Sequence, residues 1–98
     1  MTFPFHPAAL AEYEEAALWY EEQRYLLGME FAAAVEAAIA SILEEPGRYQ
    51  PTEDDTRVFR LKRFPYRLFY RFDAAAASLG IVAVMHEKRR PESWQGRL

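Results

Sequence analysis

Residues 57–72 read RVFRLKRFPYRLFYRF, and their apolar positions recur every second residue rather than every third or fourth. A period of two marks β-strands, whose successive side chains point to opposite faces of a sheet. Phe59 and Leu61 fall on one face, with Arg60 and Lys62 on the other. Phe64 and Pro65 then make a tight reversal, after which Tyr66, Leu68, Tyr70 and Phe72 alternate with Arg67, Phe69 and Arg71. The pattern predicts two antiparallel strands with an apolar face to be covered and a cationic face opposite it.

On the C-terminal side, Asp73 to Ser78 is alanine-rich and predicts a loose hairpin. Leu79 to His86 predicts a β-branched strand buried on both sides. Beyond Glu87 the chain is polar and basic apart from Trp94 and Leu98. On the N-terminal side, Arg48 to Thr56 is a polar loop, and two helical segments precede it. His6 and Pro7 start the first, since proline is tolerated where the N–H has no helical partner. A stripe of Leu10, Tyr13, Ala17, Tyr20, Arg24 and Leu27 runs along it, with Glu12, Glu14, Glu15, Glu21 and Glu22 mostly elsewhere. Gly28 is expected to break the chain in the left-handed conformation. The second helix presents Phe31, Val35, Ala38, Ile39, Ile42 and Leu43, and ends at Glu44 to Gly47. The short link makes the helices antiparallel neighbours. Phe3 and Phe5 alternate as a short strand expected to add at a sheet edge. The order strand, helix, helix, strand, strand, strand is an α+β pattern, a helical hairpin covering a three-stranded antiparallel meander.

The 98 residues, 51% of them hydrophobic, suffice for one core, and residues 1–98 are expected to form a single domain. The absence of cysteine excludes a disulfide framework, a thiolate nucleophile and cysteine zinc sites, and fits a reducing cytoplasm. No apolar run approaches the roughly 18 residues of a membrane span, and the N-terminus lacks the basic and apolar regions of a secretory signal. The net charge of −3 conceals a division: residues 1–50 carry nine Glu and two Arg, whereas residues 51–98 carry ten basic and six acidic residues. Any anion site is therefore expected on the sheet and tail.

Arg60, Lys62, Arg67 and Arg71, placed together on one face, are a candidate phosphate or carboxylate site; the plainer alternative is an ordinary wet face of a sheet. His86, Lys88, Arg89, Arg90 and Trp94 follow the last strand. An imidazole to exchange protons, guanidinium groups to stabilise a phosphate and an indole to stack on a base are the parts of a metal-free ribonuclease site. In the plainer alternative His86 caps the strand and Trp94 packs. The paired glutamates read as a solvated face. With two histidines and no ligand spacing, no metal site is expected.

WYEEQ from Trp19, ILEEPGRY ending at Tyr49, RLKRFPYRLFYRF from Arg60 and HEKRRPESW from His86 together resemble the RelE/ParE superfamily of toxins from bacterial type II toxin–antitoxin systems. The resemblance spans nearly the whole chain. It implies a strand, a helical hairpin and an antiparallel sheet, no cofactor, and a cognate antitoxin that wraps and neutralises the toxin. It also implies one of two targets. RelE-like members cut messenger RNA on the ribosome, and ParE-like members poison DNA gyrase. On the RelE-like pattern Arg67 corresponds to the arginine against the scissile phosphate. Arg60 and Lys62 correspond to basic residues of the preceding strand, and Lys88 or Arg90 to a further arginine. Trp94 stands where RelE has a tyrosine. Indole cannot transfer a proton, so catalysis would rest on Arg67, His86 and Arg90, with Arg60, Lys62, Arg71, Lys88, Arg89 and Trp94 binding RNA or another target. The tryptophan and the low isoelectric point incline the expectation toward gyrase. A non-toxic relic that binds only its partner is a further alternative, and a homodimer could cover apolar surface in the absence of the antitoxin.

Overall fold

A computed structural model describes residues 5–48, 51, 55–73, 75–76, 78–89 and 97. Helices α1 (Pro7–Gln23) and α2 (Leu27–Glu44) precede strands β1 (Arg57–Arg60), β2 (Tyr66–Asp73) and β3 (Ser78–His86). The strands form an antiparallel sheet in the order β1-β2-β3, the expected α+β meander beneath a helical hairpin. Of the expected N-terminal strand, Phe5 bridges Ile81 in parallel at the outer edge of β3, and Phe3 lies outside the described residues. No described helix is long and apolar enough to cross a membrane.

Helix α1 begins as its sequence predicts. Pro7 occupies the first turn, and His6 Nδ1 accepts the Ala8 N–H at 3.1 Å as an N-cap. The buried face differs from the expected stripe. Ala9 and Ala16 are fully buried, Tyr13, Ala17 and Tyr20 pack against the core, and Leu10 remains 42% exposed. The reason is that α1 contacts two elements at once, α2 and β3. Its tyrosines serve the helix–helix seam, while the Ala9–Glu12–Ala16 side reaches β3, where Glu12 Oε1 accepts the Val84 N–H at 3.0 Å. Glu12 therefore belongs to the interior rather than to the solvated face.

The inter-helix turn also departs from expectation. Helix α1 ends at Gln23, the left-handed residue is Leu26 with φ 68°, and Gly28 lies within α2. A Cβ at Gly28 would stand 2.4 Å from the Ala17 carbonyl oxygen, so the glycine serves close approach of the helices rather than the turn. Glu21, expected on the solvated face, instead caps α2. Its carboxylate accepts the Leu26 N–H at 2.9 Å and the Gly28 N–H at 3.0 Å.

Between the helices and the sheet, Phe31, Val35, Ile39 and Ile42 meet Leu68, Tyr70, Ile81 and Val84 in one buried cluster. The face of the sheet away from the helices is not the continuous wet surface that alternation suggests. Phe69, Val82, Ala83 and Met85 are buried there and pack with Val58. The expected double burial of β3 is thus observed. A bulge opposite Phe69 and Tyr70 inserts Val82 into β3, which lets that strand supply consecutive residues to the second cluster.

Candidate functional site

Arg60, Lys62, Arg63, Arg67, Lys88 and Arg89 collect where two turns meet. The turn between β1 and β2 packs against the exit of β3 through the Glu87 N–H, which donates to the Pro65 carbonyl at 2.8 Å. Arg60, Lys62 and Arg63 line a shallow hollow of about 480 Å³ floored by Phe64 and Pro65, with Glu87 at its rim. Phe64 is buried and so anchors this turn to the core.

The individual cations differ in freedom. Arg60 lies opposite Arg67 in the strand register, an arrangement that like charges disfavour, and its Nε approaches the Glu87 carboxylate at 3.4 Å. Arg63 Nη2 pairs with Glu30 at 2.8 Å and its guanidinium lies over the Phe64 ring at 5.2 Å. Arg67 is turned to structural use. Its Nη2 donates to the Glu87 and Arg89 carbonyls at 3.3 and 3.4 Å, its guanidinium lies 5.5 Å from the Phe69 ring centre, and its buried Nε has no partner among the described residues. Lys62, Lys88 and Arg89 are exposed, and no described ion pair involves them.

His86 faces the other way. It pairs in register with Tyr66, whose ring stands edge-on at 5.3 Å on the helix side, whereas Arg67 pairs with Met85 of the opposite cluster. Its Nδ1 accepts the Lys88 N–H at 3.1 Å and its carbonyl accepts the Arg89 N–H at 3.0 Å, so the imidazole closes the turn after β3. With Trp19, Tyr66, Glu12, Glu15 and Arg89 it lines a separate pocket of about 250 Å³. Burial holds the Tyr66 phenol above its ordinary pKa against the opposing pull of Arg89. The phenol therefore stays protonated at neutral pH.

Arg71 lies at the far end of the sheet, in a hollow of about 660 Å³ with Asp55 and Asp73. Arg90 and Trp94 lie outside the described residues. The fold thus brings Arg60, Lys62 and Arg67 to one end of the sheet, adds Lys88 and Arg89 from the β3 exit, and separates them from Arg71. Arg63 and Glu30 were missing from the sequence reading, although Arg63 directly adjoins Lys62 in the turn that the pattern locates.

Glu30 also bonds Arg24 at 2.8 Å, which makes it a bridge between the inter-helix turn and the cationic turn. The Arg63 hydrogen bond, with smaller help from Arg24, lowers its carboxyl pKa. A lowered folded-state value stabilises the fold above the ordinary carboxylate range and loses that contribution as pH falls through the lowered value. Glu30→Gln is therefore expected to lower Tm at neutral pH, with the difference shrinking as the pH is taken below the ordinary carboxylate range. Thermal melts of both proteins across that span of pH check it.

A family model described as "ParE toxin of type II toxin-antitoxin system, parDE" matches residues 4–91. Similar solved structures include two toxin–antitoxin proteins. One, a chromosomal ParDE TA system from P. aeruginosa, is 17% identical with a TM-score of 0.60, covering 88% of this chain and 95% of that one. The other is an E. coli toxin RelE double mutant in complex with a peptide of the antitoxin RelB. It is 17% identical with a TM-score of 0.63, covering 100% of this chain and 96% of that one. No curated protein matches the sequence. At such identity the two structures show a shared fold.

Proposed function

Since the chain belongs to the ParE toxin family of type II toxin–antitoxin systems, we propose that it inhibits DNA gyrase in the cytoplasm by binding rather than by cutting RNA, and that a cognate antitoxin neutralises it. The observation that supports binding over cutting is the placement of Arg67 and His86. Metal-free cleavage of RNA needs a proton acceptor and a cation converging on one phosphate. Here the Arg67 guanidinium is held by two turn carbonyls, and His86 faces Tyr66 on the opposite side of the sheet. Lys62, exposed at the hollow, and Lys88 and Arg89, exposed beyond the exit of β3, suit contact with an acidic protein surface or a DNA backbone in the gyrase complex.

The cationic hollow itself favours one alternative, in which Arg60 and Lys62 hold messenger RNA on the ribosome. Two assays on the purified chain separate the readings: gyrase supercoiling, and cell-free translation with the message ends mapped. Inhibited supercoiling with intact messages is expected. Arg67→Ala is expected to lose about 1–2 kcal/mol of stability through its carbonyl bonds, while keeping gyrase inhibition within about threefold. Message cleavage that Arg67→Ala abolishes in a folded protein would establish the alternative. Unimpaired growth on induction without an antitoxin would sink both and leave a partner-binding relic.

A further inference from the structure

The stretch Leu79–Met85, LGIVAVM, has no charge and no proline, the composition that makes an exposed strand edge a template for another chain. It forms most of β3, an outer strand of the described sheet. Among the described residues three of its outward backbone groups are nevertheless occupied, two of them by side chains. The His6 N–H donates to the Ile81 carbonyl at 2.9 Å. Next along the edge, Arg97 Nη1 donates to the Val82 carbonyl at 3.0 Å, and Glu12 Oε1 accepts the Val84 N–H at 3.0 Å.

Glu12 and Arg97 are also bound to each other through two hydrogen bonds of 2.9 and 2.7 Å. Their side chains are 11% and 16% exposed, the most buried ion pair among the described residues. The carboxylate does what a neighbouring strand's carbonyl would do, and the guanidinium does what its N–H would do. The bulge at Val82 lies at the same place, and a bulge is itself a device that turns an edge away from pairing.

We propose that Glu12 and Arg97 guard the outer edge of β3, and that the surface they close is a strand-pairing surface whose partner, once it is opened, is the β3 edge of a second copy of this chain. The pairing would be antiparallel about a two-fold axis, the closed arrangement open to identical edges. The guard keeps the chain's most aggregation-prone strand available to its own sheet alone. It acts independently of which target the toxin binds.

Sedimentation velocity of the full chain across a wide concentration range tests this with Glu12→Ala/Arg97→Ala and with Arg97→Ala alone. The double variant is expected to self-associate at least about tenfold more tightly than the parent, the equivalent of roughly one edge hydrogen bond. Hydrogen exchange at the Val84 amide is expected to be fast in the dilute variant and slow in its associated form. Folded variants that sediment like the parent at every concentration would overturn the proposal. So would association that leaves the Val84 amide unprotected, because that marks contact through another surface. If the double variant does not fold, Arg97→Ala decides alone, since it opens the Val82 carbonyl and leaves Glu12 on Val84.

Discussion

Replacing Phe31 by alanine is expected to destabilise the fold by about 4 kcal/mol, at the upper end for loss of a buried aromatic ring. The ring has no exposed surface. Its centre lies 5.1 Å from that of Tyr20, 5.2 Å from Phe64, 5.1 Å from Tyr66 and 6.2 Å from Tyr13. These neighbours come from α1, the cationic turn and β2, so no single element can shift to fill the void. A domain of this size has roughly 5–15 kcal/mol in total, and the corresponding fall in Tm is about 15–30 °C. Phe31→Leu keeps most of the volume and is expected to lose only about 1–2 kcal/mol. Urea or thermal denaturation checks both, and a Phe31→Ala protein within about 1 kcal/mol of the parent would show that the aromatic cluster is not the keystone of the core. The functional consequence is local as well as global. Phe64, which the ring contacts, lines the hollow with Arg60, Lys62 and Arg63, so loss of the ring also loosens the cationic hollow.

Gly28→Ala is expected to destabilise by about 2–3 kcal/mol, against the usual sign of such a change. In an open helix, alanine is favoured over glycine by about 1 kcal/mol. Here the new Cβ would stand 2.4 Å from the Ala17 carbonyl oxygen, a backbone atom that cannot rotate away, and 3.0 Å from Glu21 Cβ. Relief of the clash must part the two helices, and parting them pulls the Glu21 carboxylate from the N–H groups it caps. Overpacking and loss of a cap together exceed the gain in propensity. Gly47 is the control, because a Cβ there meets nothing within 4 Å. Gly47→Ala is expected to be neutral or to stabilise by up to about 1 kcal/mol. Equal Tm values for the two variants would sink the close-packing account of Gly28.

The elements were legible because the period changes from helical to alternating near Arg57, and because His6–Pro7 and Phe64–Pro65 mark a start and a reversal in local chemistry. What could not be read locally was the use of each polar group. Arg67 follows the strand pattern as an outward cation, but the carbonyls that hold it lie 20 and 22 residues later. Glu12 looks like one more glutamate of a solvated helix face until β3 places Val84, 72 residues away, within its reach. Gly28 fits the turn by its conformational freedom, whereas its missing side chain is what the packing uses. Burial of both faces of β3 was legible in its apolar composition, but strict alternation would put Val82 on one face with Val84, whereas the bulge puts Val82 with Ala83 and Met85 in the second cluster. The basic end of the sheet was therefore visible as composition and invisible as geometry.

The Glu12–Arg97 pair spans 85 residues, which places a clock on the making of this protein. The helical hairpin is complete when Glu44 emerges, but its partner surface is not. At about 5–20 residues per second, the chain from Glu45 to Arg97 takes roughly 3–10 s to synthesise. During those seconds Phe31, Val35, Ile39 and Ile42 have no sheet to cover, and the edge of β3 is complete before its last lock exists. A translation product that stops short of Arg97 carries the strand without the residue that closes it.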